Sequence, residues 1–148
     1  MPNAARRREW LGVRPRKRGW IVAREAAEKE HCEHCGQMVL YRAEALLLNA
    51  IPANGLLAIP ERCKRVLVYR FGGAVDHLVP ERLILQFRPD MNPHHPLNLM
   101  TLAVRCHAIK TQADARLCRG DKLGFLDVLR KHDWPMERIE AALALYQL

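Results

Sequence analysis

The stretch VDHLVPERLI, residues 75–84, places an aspartate beside a histidine near the end of an apolar run and follows the pair with a proline. The residues before it, KRVLVYRFGG (64–73), are rich in Val, Leu and Tyr, which predicts a strand ahead of Gly72 and a second short strand across residues 75–79. An Asp-His pair by itself is usually an ordinary strand end. Its meaning therefore depends on the residue types that accompany it along the chain.

Length and composition limit the class of protein. A chain of 148 residues with 49% hydrophobic and 27% charged residues suits one compact domain. No apolar run approaches the ~20 residues of a membrane span, and the arginine-rich beginning lacks the apolar stretch of a secretory signal. Five cysteines, an odd number with two spaced as Cys-x-x-Cys, suit metal binding in a reducing compartment better than disulfides. We therefore expect a cytoplasmic protein that does not contact membranes.

The positive charge is concentrated at the beginning of the sequence. Residues 1–20 contribute +6 of the net charge of +8, which predicts a flexible basic arm over residues 1–19 that binds nucleic-acid phosphates. The alternative is a solvated tail that aids solubility. Trp10 and Trp20 could stack on bases or pack on the domain, and we expect Trp20 to pack because Ile21 and Val22 follow it. The residues of the arm expected to contact nucleic acid are Arg6, Arg7, Arg8, Arg16, Lys17 and Arg18.

The rest of the chain predicts short mixed elements. A helical stretch from residue 20 runs into a cysteine-containing turn closed by Gly36, whereas residues 38–63 give no firm assignment. Residues 97–117 pass from an extended start into a helix. The final residues predict two helices divided at Trp134-Pro135, with Asp121 as the N-cap of the first. We expect a core domain over residues 20–118 and a two-helix extension over residues 119–148 packed on the same domain.

Four spaced elements occur in order: Cys32-x-x-Cys35, Asp76-His77, HPLNL with Asn98, and CHAIKT with Cys106 and His107. This order resembles the HNH endonuclease family over about residues 32–111. DHLVP matches the family pattern in full, HPLNL matches apart from its first residue, and LAVRCHAIKT matches except at one position. The resemblance implies an α+β fold with a small ββα-metal core and flanking helices.

The differing position in LAVRCHAIKT concerns a zinc site. The family has a cysteine where this chain has Ala103, so only Cys32, Cys35 and Cys106 remain of four expected ligands of a structural zinc. The candidates for the fourth ligand are His31, His34 and Cys63. Chain geometry could forbid the two histidines, which flank the first pair closely, and Cys118 would lie ~18 Å along a helix from Cys106. Alternatively, the cysteines bind no metal and pack as small apolar side chains.

The resemblance implies hydrolysis of DNA phosphodiester bonds with one divalent cation, Mg²⁺ or Mn²⁺. His77 is the expected general base, because its ordinary pKa lies near neutrality. Asp76 and His107 are the expected ligands of the catalytic cation, and Asn98 is expected to orient the imidazole of His77. Adjacent strand residues point to opposite faces, so the sequence leaves open how Asp76 and His77 reach one phosphate.

Other residues carry open alternatives. Lys110 and Thr111 would contact phosphates or would be ordinary exposed helix residues. His94 and His95 are expected to be loop residues, with a metal or phosphate contact as the minority interpretation.

Two alternatives to a nuclease remain. One is a nucleic-acid-binding module that does not cut. The other is an adaptor on the same fold that docks a protein partner in a phage or mobile-element assembly. An exposed apolar stripe on the last two helices would favour the adaptor. The stripe comprises Leu126, Leu129, Ile139, Leu143 and Leu145.

Overall fold

The computed structural model describes residues 15–41, 44, 47–48, 50–51 and 59–148. Within them, six α-helices surround a two-stranded antiparallel sheet, so the fold is α+β with a small ββα core and flanking helices, as predicted. The elements are α1 (Pro15–Ala27), α2 (Glu61–Phe71), β1 (Gly73–His77), α3 (Glu81–Phe87), a 3₁₀ turn (Pro96–Asn98), β2 (Leu99–Ala103), α4 (Val104–Cys118), α5 (Lys122–Lys131) and α6 (Met136–Leu145).

The two strands run antiparallel over their full length. Gly73 pairs with Ala103 at one end and His77 with Leu99 at the other. Every residue of β2 is buried, because α4 covers the sheet and the end of α1 also contacts β2. The Thr101 hydroxyl donates to the carbonyl of Ala27 at 3.0 Å, which fixes the end of α1 on this strand.

The strand expected ahead of Gly72 is wrong, because residues 61–71 form helix α2. The carbonyl of Pro60 accepts hydrogen bonds from the backbone N–H groups of Cys63 and Lys64, which starts the helix. The Lys64 side chain is buried and its amine donates to the carbonyl of Ile51. The β propensity of Val, Leu and Tyr is a weak preference that such tertiary contacts override. The second predicted strand, residues 75–79, is found as β1 two residues earlier, at Gly73–His77.

Helix α1 begins at Pro15, so residues 15–19 of the predicted arm are helical. Arg16, Lys17 and Arg18 lie in this helix, whereas Arg6, Arg7 and Arg8 lie outside the described residues. The Trp20 ring stacks on His77 with centroids 4.7 Å apart. This contact confirms the expectation that Trp20 packs on the domain.

The last two helices belong to the core. The Asp121 side chain accepts a hydrogen bond from the Gly124 N–H at 2.8 Å, which confirms it as the N-cap of α5. Helix α5 packs along α4. The predicted apolar stripe is used here: Leu129, Ile139 and Leu143 are buried, and Leu126 and Leu145 pack against the same core cluster. These five residues therefore offer no free apolar face.

Gly73 is required where β1 meets the segment before it. A Cβ built at this position would lie 2.5 Å from the Leu102 carbonyl oxygen and would also collide with the Val39 side chain. By contrast, a Cβ at Gly19 in α1 meets nothing within 4 Å. A side chain is therefore excluded at Gly73 but can be accommodated at Gly19.

We predict that Gly73→Ala lowers the free energy of unfolding by about 1–3 kcal/mol, because backbone of β2 cannot move aside without strain. Gly19→Ala is the matched control and should leave stability unchanged or raise it by up to ~1 kcal/mol, since alanine favours a helix. Urea unfolding followed by circular dichroism measures both values. Equal effects of the two substitutions would contradict the packing described for Gly73.

Candidate metal centre and catalytic site

Asp76 and His107 approach each other across the sheet and helix α4. Asp76 is the fourth residue of β1, and His107 lies in the first turn of α4, directly after β2. The Asp76 Oδ1 atom lies 3.9 Å from His107 Nε2. The His107 side chain is 48% exposed, and it borders a cleft of about 180 Å³ that Gly73, Ala74 and Val104 also line. The imidazole of His107 therefore borders an open space, and the Asp76 carboxylate lies beside that imidazole.

Lys110 is buried beneath this pair. Its side chain is fully covered, and its amine donates to the His77 carbonyl at 2.8 Å and to the Asp114 carboxylate. The Asp76 Oδ2 atom lies 3.8 Å from the same amine. The phosphate contact considered for Lys110 is therefore not available to its side chain, which instead ties β1 to α4. Thr111 is exposed, and its hydroxyl donates to the His107 carbonyl.

His77 lies on the other side of the strand end from Asp76. Its Nε2 atom is 2.9 Å from Nδ1 of His94, and both rings pack against Trp20. Burial, and after it the charge of a protonated His94, lowers the pKa of His77 below its ordinary value. The alternation of strand side chains thus gives Asp76 and His77 separate partners. Lys110 links the two residues, because its amine donates to the His77 carbonyl and lies 3.8 Å from the Asp76 carboxylate.

His94 is a functional candidate that the sequence placed among ordinary loop residues. It is buried, and its Nε2 atom lies 3.9 Å from Glu81 Oε1 at the start of α3. A carboxylate at that distance favours the proton on Nε2 of His94, which leaves Nδ1 to accept from Nε2 of His77. In this arrangement Nδ1 of His77 is the basic nitrogen. The sequence offered one signal for this role, which is that His94 lies in the segment connecting the two predicted strands.

Asn98 has a different role from the one expected. Its amide oxygen accepts from the Val79 N–H at 2.7 Å, and its amide nitrogen donates to the carbonyls of Val79 and Pro93. The side chain is fully buried. Its amide is therefore committed to backbone groups rather than to the His77 imidazole. Asn98 closes the connection between the strands, and this closure places His94 against His77.

The cysteine cluster forms at the predicted turn. Cys32, Cys35 and Cys106 bring their sulfur atoms within 4.8 Å of one another, positioned to bind a metal ion. Residues 31–38, called the knuckle below, close through pairing of His31 with Met38 and a hydrogen bond from the Gly36 N–H to the Cys32 carbonyl. Gly36 adopts a φ of 77°, a conformation that glycine tolerates. This confirms the turn closed by Gly36.

Backbone donors surround one sulfur of the cluster. The N–H groups of His34 and Cys35 each lie 3.4 Å from Cys32 Sγ. Burial works against ionisation, but hydrogen bonds from the backbone of Cys35, Ala103 and His34 lower the pKa of the Cys32 thiol. Burial and the neighbouring thiols of Cys35 and Cys32 raise the pKa of Cys106. N–H donors that favour a thiolate suit a site that binds a cation.

The other candidate zinc ligands lie at different distances from the three cysteines. Of the described residues, only the three cysteines satisfy the mutual 4.8 Å distance for a group of metal-binding atoms. Cys63 lies in α2 and Cys118 at the end of α4, outside that group. His31 is exposed. His34 lies beside the cluster, with Nδ1 3.0 Å from Cys106 Sγ.

Comparison with models of protein families, with curated proteins and with solved structures finds no match to this chain. Among the described residues, no helix combines the length and apolar character needed to cross a membrane. The function is therefore inferred from the geometry of the site.

Lys110 provides a direct test of this geometry. We predict that Lys110→Met lowers the free energy of unfolding by about 3 kcal/mol, because it leaves the mostly covered Asp114 carboxylate and the His77 carbonyl without their partner. Arg105→Met, an exposed change on the same helix, should alter stability by less than ~0.5 kcal/mol. Urea unfolding measures both. A Lys110→Met protein of wild-type stability with reduced DNA affinity would instead support a phosphate contact.

Proposed function

We propose that this protein is a metal-dependent DNA endonuclease of the HNH type, which hydrolyses phosphodiester bonds. The observation that carries the proposal is the pairing of Asp76 with His107, which borders an open cleft. His77, the neighbour of Asp76 in sequence, has its Nε2 atom held by a second imidazole on the other side of the strand end. Phosphodiester hydrolysis needs a base for water and a cation for the phosphate charge. His77 would supply the base, and Asp76 and His107 would hold the cation.

His77 acts as the general base through Nδ1. The contact of Nε2 with His94 sets the ring orientation, and the lowered pKa of His77 keeps the imidazole neutral at neutral pH. A neutral imidazole can accept the proton that water loses as it attacks phosphorus. His94 and Trp20 are positioning residues, since they contact the ring rather than the substrate.

Asp76 and His107 would hold one divalent cation, Mg²⁺ or Mn²⁺. The cation would supply neutralisation of the charge that grows on the phosphate. One carboxylate and one imidazole suit such an ion because they leave room for water and phosphate oxygens. The exposure of His107 and the adjoining cleft support this assignment. The buried amine of Lys110 sets the position of the Asp76 carboxylate.

DNA is the proposed partner because positive charge is concentrated in residues 1–18. Helix α1 carries the last part of this charge and places Trp20 on His77, so the basic segment leads directly to the candidate catalytic residue. A binding module that does not cut would need no base or cation pair. The burial of the apolar stripe on the last two helices gives the adaptor alternative no support.

The thiol cluster of Cys32, Cys35 and Cys106 is proposed to hold a structural zinc. Cysteine sulfurs are zinc's preferred ligands in structural sites. The cluster lies at the opposite end of β2 from the pairing of His77 with Leu99, since Cys106 follows Ala103. Such a zinc would fix the knuckle against the start of α4, the helix that carries His107.

We predict that His77→Ala lowers the rate of plasmid cleavage by about 10²–10⁴-fold while DNA affinity is kept, because a general base acts only in the chemical step. Supercoiled plasmid incubated with Mg²⁺ or Mn²⁺ gives the rate, and a gel-shift titration gives the affinity. His132→Ala, which removes an exposed ring away from the site, is the matched control. Cleavage by His77→Ala at the wild-type rate would contradict the assignment.

The cation ligands make a separate prediction. Asp76→Ala and His107→Ala should each weaken Mn²⁺ binding by at least about 10-fold, and excess Mn²⁺ should restore part of the activity in at least one variant. Isothermal titration calorimetry with Mn²⁺ measures the affinity. Wild-type Mn²⁺ affinity in both variants would rule out this ligand pair. DNA binding without cleavage by the wild-type protein would favour the non-cutting module.

The arm is tested by deleting residues 1–14, which keeps α1 and Trp20 in place. We predict lower DNA affinity for all sequences and a shallower slope of log K against log salt, by about 0.9 for each phosphate that the protein no longer neutralises. Fluorescence anisotropy at several salt concentrations measures the slope, and the cleavage rate at saturating protein should be unchanged. An unaltered slope would identify the segment as a solubility tail.

A further inference from the structure

We propose that His34 supplies the fourth ligand of the zinc site, through Nδ1, and completes a Cys₃His centre in place of the cysteine absent at residue 103. The inference rests on the structural zinc proposed above. It is carried by the position of the His34 ring, whose Nδ1 atom lies 3.0 Å from Cys106 Sγ. No other histidine of the described residues contacts a sulfur of the cluster in this way.

The hydrogen bonds of His34 determine which nitrogen is available to a metal. Nε2 lies 2.7 Å from the carbonyl oxygen of His132. A carbonyl oxygen can only accept, so Nε2 carries the proton and Nδ1 of the neutral ring keeps its lone pair. Metal-binding histidines usually donate their second ring nitrogen to a carbonyl or carboxylate in this manner. The lone pair on Nδ1 faces the thiol of Cys106.

The distance from His34 to Cys106 can be compared with that in a zinc site. Zinc bonds of about 2.3 Å to sulfur and 2.0–2.1 Å to nitrogen, at a tetrahedral angle, separate the two ligand atoms by about 3.5 Å. The 3.0 Å between His34 Nδ1 and Cys106 Sγ is the shorter spacing of a hydrogen bond. His34 lies outside the group of three sulfurs that meet the 4.8 Å distance, so its ring has to shift toward Cys32 and Cys35 to complete the centre.

The C-terminal extension holds the ring of His34. The Trp134 indole is buried and stacks on the imidazole with centroids 4.4 Å apart and an interplanar angle of 15°. The carbonyl of His132 comes from the same turn between α5 and α6, in which Asp133 adopts a φ of 56°. His34 therefore receives a stacking surface and a hydrogen-bond acceptor from residues nearly a hundred positions away. These contacts hold the ring beside Cys106, at the edge of the cysteine cluster.

A second contact fixes the knuckle on the same extension. The Arg138 guanidinium, in α6, pairs with Glu33 and also donates to the Leu99 carbonyl. Burial opposes ionisation of Glu33, but hydrogen bonds from Lys29 and the Thr101 N–H lower its pKa. Glu33 and His34 are thus both held from outside the knuckle, on either side of the backbone between the two cysteines.

The test uses the full chain loaded with Co²⁺ or Zn²⁺. We expect one tightly bound metal ion per chain at the cysteine cluster, apart from any cation held more weakly by Asp76 and His107. His34→Ala should weaken this tight binding by at least ~100-fold, since even residues that only hydrogen-bond to a ligand contribute up to about that much. Competition with a chromophoric chelator measures the affinity. His31→Ala, which removes the exposed histidine on the other side of Cys32, is the matched control and should change the affinity less than ~3-fold. The Co²⁺ absorption bands should shift in His34→Ala alone.

A second measurement needs no variant. In wild-type protein loaded with ¹¹³Cd²⁺, we expect scalar coupling between cadmium and the ring protons of His34. Metal bound with no such coupling, together with unchanged affinity in His34→Ala, would overturn His34 as a ligand and leave a three-cysteine zinc site standing. Wild-type protein that binds neither Zn²⁺ nor Co²⁺ would overturn the zinc proposal and this one together.

Discussion

A buried ammonium group joins the two elements that carry the candidate catalytic residues. The Lys110 amine donates to the His77 carbonyl and to Asp114, and it lies 3.8 Å from the Asp76 carboxylate. A buried charge is costly unless it is fully paired, so the end of β1 and the middle of α4 have one favourable arrangement. That arrangement sets the distance from Asp76 to His107, and through the backbone it sets the position of His77. Asn98 then holds the connection between the strands so that His94 reaches the same place.

Much of the core could be predicted from short patterns. Asp121 predicted a helix start because an aspartate before an apolar run satisfies free N–H groups. The change from an extended to a helical stretch placed β2 and α4, and the Cys-x-x-Cys spacing followed by a glycine located the knuckle. The approach of Asp76 to His107 and the grouping of three cysteines agree with the order of the motifs. Whether those residues cut DNA stays a prediction.

The errors and omissions have a common physical cause, which is tertiary contact. Residues 64–71 have strand propensity but form a helix, because Lys64 is buried against the carbonyl of Ile51. Lys110 resembled an exposed helix residue, and only the fold reveals the carbonyl and carboxylate that surround its amine. The doubt about His34 as a zinc ligand concerned the local chain geometry beside Cys32 and Cys35, and whether it binds zinc stays a proposal. The turn after α5, which supplies its stacking and hydrogen-bond partners, is remote in sequence.

The joining of the knuckle to residues 132–138 has a consequence for synthesis on the ribosome. Cys32 and Cys35 emerge early, but Trp134 and Arg138, which fix His34 and Glu33, follow about a hundred residues later. At 5–20 residues per second this interval lasts on the order of 5–20 s. During that time two thiols of the nascent chain remain open to oxidation and to wrong metal ions, since thiol reactivity depends on exposure. The knuckle is therefore synthesised before the residues that hold it in place. The yield of folded protein in the cell should depend on the redox state and the metal supply that the growing chain meets.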